Sequence, residues 1–338
     1  MILIVLFHSI IHSGVLEAVR PDHMVTYFYV RFSHALSLIC VNLFILISGY
    51  FLVKTKFRFQ KLIALWGEMV FYSFVLKIIA MKCGRCPFSL ISLGSCFFPF
   101  FTGRYWFLTI YLGLYLLAPF LNQALTAFDK HNHFRLLLVL FLIFPIWISI
   151  HPRFAGMNAG GGWGLTWFIV LYLCAAYLRL HNTSPGNKGI FWLLLCYMGI
   201  ACIMAGMLSI SEKMRFDFAT PVFRNWYRYD SLPVLLMSLA VFQAFRKMQF
   251  TDGYLAKWIS HAAPLTLGVY LIHDHANIKP WLWNVLALPQ KLQSPFFPMM
   301  QIVLVLGIFF ACILLDAIRA GLAHCLMTNR VIKDTLKL

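Results

Sequence analysis

The chain has 338 residues, 61% of them hydrophobic and only 12% charged, with a mean hydropathy of +0.79. Soluble domains carry about 25% charged residues, so no soluble fold can hide this much apolar surface. A formal net charge of +17, from 28 Lys/Arg against 11 Asp/Glu, would point to nucleic acid in a soluble chain. Here the basic residues flank apolar runs, where they orient membrane spans, and no nucleic-acid partner is expected.

Windows free of Asp, Glu, Lys and Arg run over 105–128, 136–152, 154–178, 189–211, 231–245, 258–273 and 292–315. Each approaches the roughly 20 residues that cross the hydrocarbon core as a helix, 231–245 being the short one. Alternation of period two is absent, which argues against a membrane barrel. The expected fold is all-α, a polytopic membrane protein with about ten transmembrane helices. In chain order they fall near 1–18, 35–53, 62–80, 104–121, 134–150, 164–180, 189–210, 230–246, 259–277 and 299–319. Ile91–Phe101, broken by Pro99, is too short to span and reads as a re-entrant or interfacial segment. Leu286–Pro298, with Pro289, Pro295 and Pro298, reads as a loop. No polar stretch is long enough to fold alone, so residues 1–338 form one integral membrane domain.

The dense cluster Lys54, Lys56, Arg58 and Lys61 places the loop after the second span, and with it both termini, in the cytoplasm. The outer loop 211–229, with four basic residues of its own, opposes this mildly. Cys83 and Cys86 form a lone C-x-x-C with Cys96 nearby. A disulfide is one reading and a zinc site would need two more ligands, so unpaired thiols are expected.

Several polar residues at membrane depth invite a chemical reading. His8 and His12 lie four apart and share a helix face. An imidazole with an ordinary pKa near 6.5 can take a proton from a hydroxyl at neutral pH; the plain alternative is a histidine packed between helices. Known metal motifs of this spacing add a glutamate and a third ligand, none is adjacent, and no metal is expected. Ser48-Gly49-Tyr50 ends the second span, where Gly suits close helix packing and Tyr an interfacial anchor. Beyond it, Lys54, Lys56 and Arg58 stand at a cytoplasmic mouth where cations can hold phosphates. Glu68, deep in the third span, must face protein or water; it either lines a cavity or is protonated and hydrogen-bonded. His273, Asp274 and His275 form a polar knot at the outer end of the ninth span.

Five phrases occur in a telling order: MILIVLFH ending at His8, NLFILISGY ending at Tyr50, Tyr105-Trp106-Phe107-Leu108, Trp167-Phe168-Ile169, and Gly268-Val269-Tyr270-Leu271-Ile272-His273. Together they resemble the membrane acyltransferase type 3 family over nearly the whole chain. The resemblance implies transfer of an acetyl (acyl) group from acetyl-CoA to a hydroxyl of a cell-surface polysaccharide or its lipid-linked precursor, in a bacterial plasma membrane. It implies His8 as the catalytic base, with His12, His273, Asp274 and Glu68 as secondary candidates. Ser48, Gly49, Tyr50, Lys54, Lys56 and Arg58 are the implied donor-binding residues. Acetyl-CoA is then a substrate, and no permanently bound cofactor is expected. In that family an arginine precedes the histidine by about eleven residues, which here falls upstream of Met1, so an N-terminally truncated frame is expected. A polytopic transporter or lipid-linked sugar flippase explains the hydrophobicity equally well. It does not explain the ordered phrases, and matching interrupted helices in two halves are not evident.

Overall fold

The computed structural model describes residues 1–151, 159–181, 189–248 and 253–328, and among them every regular element is helical. Among the described residues six helices are long and apolar enough to cross a membrane. These are α2 (Met24–Leu52), α3 (Phe59–Lys82), α4 (Trp106–Leu125), α5 (Lys130–Ile150), α7 (Ile190–Lys213) and α11 (Phe297–Thr328). The remaining expected spans contain shorter helices: α1 (Ile2–Ile11), α6 (Leu165–Leu180), α8 (Leu232–Lys247), and the pair α9 (Tyr254–Ala262) and α10 (Thr266–His273).

The all-helical membrane class therefore stands, while the expected count of ten spans is met by six helices of spanning length. The physical reason is burial. Nearly every residue of α6 from Trp167 to Ala176 is enclosed by protein, and a helix wrapped by its neighbours has its backbone satisfied without itself covering the bilayer. Pro264, in the short 3-10 turn Ala263–Leu265, divides the ninth expected span into α9 and α10. In the other direction, α2 begins eleven residues earlier than expected, because its polar early residues find partners inside the fold. Arg31, for example, reaches Glu212 at the end of α7.

The bundle is organised around α6, which packs along the second half of α2 and against α4. Glycine sets the α2–α6 approach: a Cβ on Gly49 would lie 3.1 Å from Ala175 Cβ and 3.1 Å from Tyr172. The glycine of the Ser48-Gly49-Tyr50 phrase thus has a packing role of the small-residue kind. On the other side, α1 packs on the first half of α2 and on α11, while α10 lies against α11 and α3. The α10–α11 contact is closer still, since a Cβ on Gly268 would sit 2.4 Å from Asp316 Cγ.

That contact seats a buried polar network. Asp316 is fully buried, accepts from the Tyr72 hydroxyl at 2.5 Å, and pairs with Arg319, whose guanidinium also reaches Glu68 at 3.3 Å. A second polar clasp ties α2 to α6: the Trp167 indole donates to Asn42 Oδ1 at 3.0 Å, and Asn42 Nδ2 donates to the Tyr229 carbonyl at 2.9 Å. Both networks pair their buried groups, as an interior of low polarity demands. The Ile91–Phe101 stretch forms only a short helix and a 3-10 turn, with Ile91, Phe98 and Phe101 exposed, as an interfacial segment would.

Candidate active site

Three elements far apart in sequence bring the polar cluster together. α1 carries His8 on its inward face, α10 ends at His273, and the following turn presents Asp274 and leads to Lys279. His8 Nδ1 lies 2.9 Å from His273 Nε2, although the residues are 265 positions apart. His273 Nδ1 faces the Val269 carbonyl one turn back in its own helix. A carbonyl only accepts, which assigns the proton of His273 to Nδ1 and leaves Nε2 as an acceptor. His8 must then donate from Nδ1. Its Nε2 is left as the nitrogen that carries the lone pair.

Asp274, 5% exposed, supplies the charge of the cluster. Its Oδ1 is 3.0 Å from Lys279 Nζ, 3.6 Å from His12 Nε2 and 3.9 Å from His8 Nδ1. A buried carboxylate is tolerated when it is paired, and the Lys279 ammonium is that pair. His8, His12 and Asp274 also bring three potential ligand atoms within 4.8 Å of one another. The third ligand that the local sequence lacked thus comes from the turn after α10. Two features compete with an ion there: Lys279 already balances Asp274, and His8 Nδ1 is engaged by His273.

His8, His12, Asp274 and Lys279 line a cavity of about 150 Å³. Its opposite wall is aromatic. Trp106 and Trp163 lie with ring centroids 4.4 Å apart, and Tyr229 stands 5.6 Å from Trp163. A backbone device holds that wall. Gly162 has φ +82°, and a Cβ there would fall 2.4 Å from Tyr229 Cβ, so only glycine permits the loop to lie this close. Tyr270 completes the site, with its ring 6.5 Å from that of His8 and its buried hydroxyl beside Asp274.

The other expected residues lie elsewhere. Ser48 opens onto a second cavity of about 340 Å³ together with Lys61, Tyr111 and Tyr115. This cavity meets the histidine cavity at Phe44 and Leu267, which line both. Tyr50 faces a third, apolar groove. Lys54, Lys56 and Arg58 are exposed in the turn after α2, and the backbone of Arg58 is held by the Tyr115 hydroxyl. Glu68 is remote from the histidines and belongs to the Arg319–Asp316 network. Cys83, Cys86 and Cys96 are unpaired thiols. Lys279, Trp163, Tyr229 and Tyr270 went unremarked as site residues at the sequence level. Tyr270, inside the GVYLIH phrase, was the one with a local signal.

Fold and site together define a multi-pass helical membrane protein whose buried histidines open on a cavity within the bundle. The sequence model of the acyltransferase 3 family, an acyltransferase domain, matches residues 1–317. The chain belongs to the acyltransferase 3 family, and membrane acyl transfer is its general activity. No curated protein and no solved structure matches it.

Proposed function

We propose that this protein moves an acetyl group from acetyl-CoA to a hydroxyl of a cell-surface polysaccharide or its lipid-linked precursor, in a bacterial plasma membrane. The observation that carries the reading is the Val269–His273–His8 hydrogen-bond chain. It supports a His8 that donates from Nδ1 and, when neutral, offers Nε2 to a proton, at the wall of a cavity that shares lining residues with two grooves.

The chemistry then balances without further reagents. His8 Nε2 takes the proton of the acceptor hydroxyl as the oxygen attacks the thioester carbonyl, which is general base catalysis. The new C–O bond forms and the C–S bond breaks as the tetrahedral intermediate collapses. The leaving thiolate recovers the proton from His8. Asp274 stands 3.9 Å from His8 Nδ1 and favours the imidazolium that forms between the two proton transfers, as an orienting carboxylate does elsewhere. The Tyr270 hydroxyl is the candidate donor to the oxyanion. The Trp106–Trp163–Tyr229 wall offers flat apolar faces to the acceptor ring.

The test uses membranes carrying the protein, acetyl-CoA labelled in the acetyl group, and a glycan-bearing host. Alkali-labile label on the glycan, absent from membranes lacking the protein, is the expected result. Label that stays in acetyl-CoA would overturn the proposal and return the carrier reading.

A further inference from the structure

Where α2, α6 and α8 end, two arginines converge on one tyrosine. Arg179, in the last turn of α6, donates from Nη1 to the Tyr50 hydroxyl at 3.1 Å, with its guanidinium carbon 4.7 Å from the ring centroid. Arg246, in the last turn of α8, sits 5.9 Å from the same ring. Helix C-termini attract cations, and Arg246 does hold the Leu178 carbonyl at 2.9 Å. That accounts for one arginine at each helix end. It does not account for two like charges gathered on one ring, nor for Arg179 Nε, buried with no hydrogen-bond partner. Among the described residues no carboxylate pairs with either guanidinium. A cation pair without an internal counter-ion can hold an anion.

An apolar groove of about 460 Å³ starts at Arg246, with Tyr50, Phe51 and Phe245 also in its walls; Arg179 stands behind it, on the Tyr50 hydroxyl. It follows α2 to Cys40 and Phe44, which also line the His8 cavity. From Phe51 to Cys40 the helix rises roughly 16 Å at 1.5 Å per residue. The groove thus has a cationic end at Arg246 and adjoins the histidine cavity at its other end, an arrangement suited to a donor with a phosphorylated head and a long thioester arm. The parallel cavity on the other side of α2 ends instead at Ser48 and Lys61.

We propose that Arg179, Arg246 and Tyr50 form the phosphate seat of the acyl donor, with the thioester arm laid in the groove between α2 and α8. The seat rests on the acyltransferase reading above and moves the donor's anchor away from Lys54, Lys56 and Arg58. Anionic lipid headgroups share the phosphate chemistry, so the experiment separates the two sources.

The full chain is placed in bilayer discs of neutral phosphatidylcholine, and coenzyme A binding is titrated for the parent, for Arg179→Gln/Arg246→Gln, and for Lys54→Gln/Lys56→Gln/Arg58→Gln. Each lost charged contact is worth roughly tenfold, so the double arginine variant should bind about 100-fold more weakly. Pantetheine, which lacks the phosphates, should bind parent and the Arg179/Arg246 variant alike, and the Lys54/Lys56/Arg58 variant should stay near the parent in coenzyme A affinity. Arg179→Lys/Arg246→Lys keeps the charge and should retain most of the affinity, which covers a glutamine variant that fails to fold. Equal coenzyme A affinity in parent and arginine variant overturns the seat while leaving the acyltransferase reading intact. So does a parent that merely co-purifies with phosphatidylglycerol at these arginines without hindering coenzyme A. A parent that binds no coenzyme A in any disc overturns the donor assignment itself.

Discussion

Replacing His273 with leucine tests the hydrogen-bond chain directly. The change leaves the cavity lining intact, since His273 is fully packed behind His8, but it removes the acceptor of the His8 Nδ1 proton. A buried N–H without a partner costs about 1–3 kcal/mol. His8 escapes that cost by changing tautomer or rotating toward Asp274 Oδ1, now 3.9 Å away, and either motion takes Nε2 out of its working state. Transferred to the barrier, the penalty corresponds to roughly a 5- to 150-fold loss in kcat/KM. The assay is initial-rate acetyl transfer at saturating acceptor, with coenzyme A affinity measured in parallel and expected to be unchanged. His273→Gln supplies an amide oxygen to the same proton and should recover part of the rate. Because His273 acts through His8, adding His273→Leu to His8→Ala should cost almost nothing more. Full activity in His273→Leu, or a fully additive double variant, would refute the chain.

Three further outcomes follow from the packing and the wall of the site. Gly268→Ala puts a Cβ 2.4 Å from Asp316 Cγ, which forces α10 and α11 apart; thermal unfolding in detergent should register a loss of about 1–3 kcal/mol, typical of overpacking. The Glu68–Arg319–Asp316 network should respond asymmetrically. Arg319→Met strands the fully buried Asp316 and should cost about 3–5 kcal/mol. Glu68→Gln leaves that pair intact and should cost under about 1 kcal/mol; equal losses in the two would show that the network is not organised around Asp316. Trp163→Ala removes an exposed aromatic face of the cavity and should raise the KM for the glycan by roughly three- to tenfold while leaving that for acetyl-CoA unchanged. A rise for the donor instead would place the acceptor elsewhere.

Much of this architecture could be read from the chain because a bilayer simplifies the rules. Charge-free windows located the apolar segments, an imidazole at membrane depth made His8 a candidate, and the resemblance of the phrase ending at His8 favoured it as the base. The span count was less legible, since hydropathy does not distinguish a helix facing lipid from one, like α6, enclosed by other helices. Site geometry was least legible. That His273 meets His8 depends on how α1 and α10 pack around α11, and helical periodicity specifies a face but not its neighbour. Trp163 sits on a turn and Lys279 opens the short helix Lys279–Leu286, and no pattern ties either to a cavity. Glu68 was ambiguous for the same reason: its partner Arg319 arrives from the other end of the chain.

The central claim is that His8 is the base, and labelled acetyl transfer by His8→Ala tests it most directly. Membrane insertion, protein level and coenzyme A affinity should match the parent, while transfer to glycan falls by about 10²–10⁴-fold, the usual cost of losing a general base. His12→Ala, which leaves the Val269–His273–His8 chain in place, should fall far less. Undiminished transfer by His8→Ala in a properly inserted protein would contradict the account.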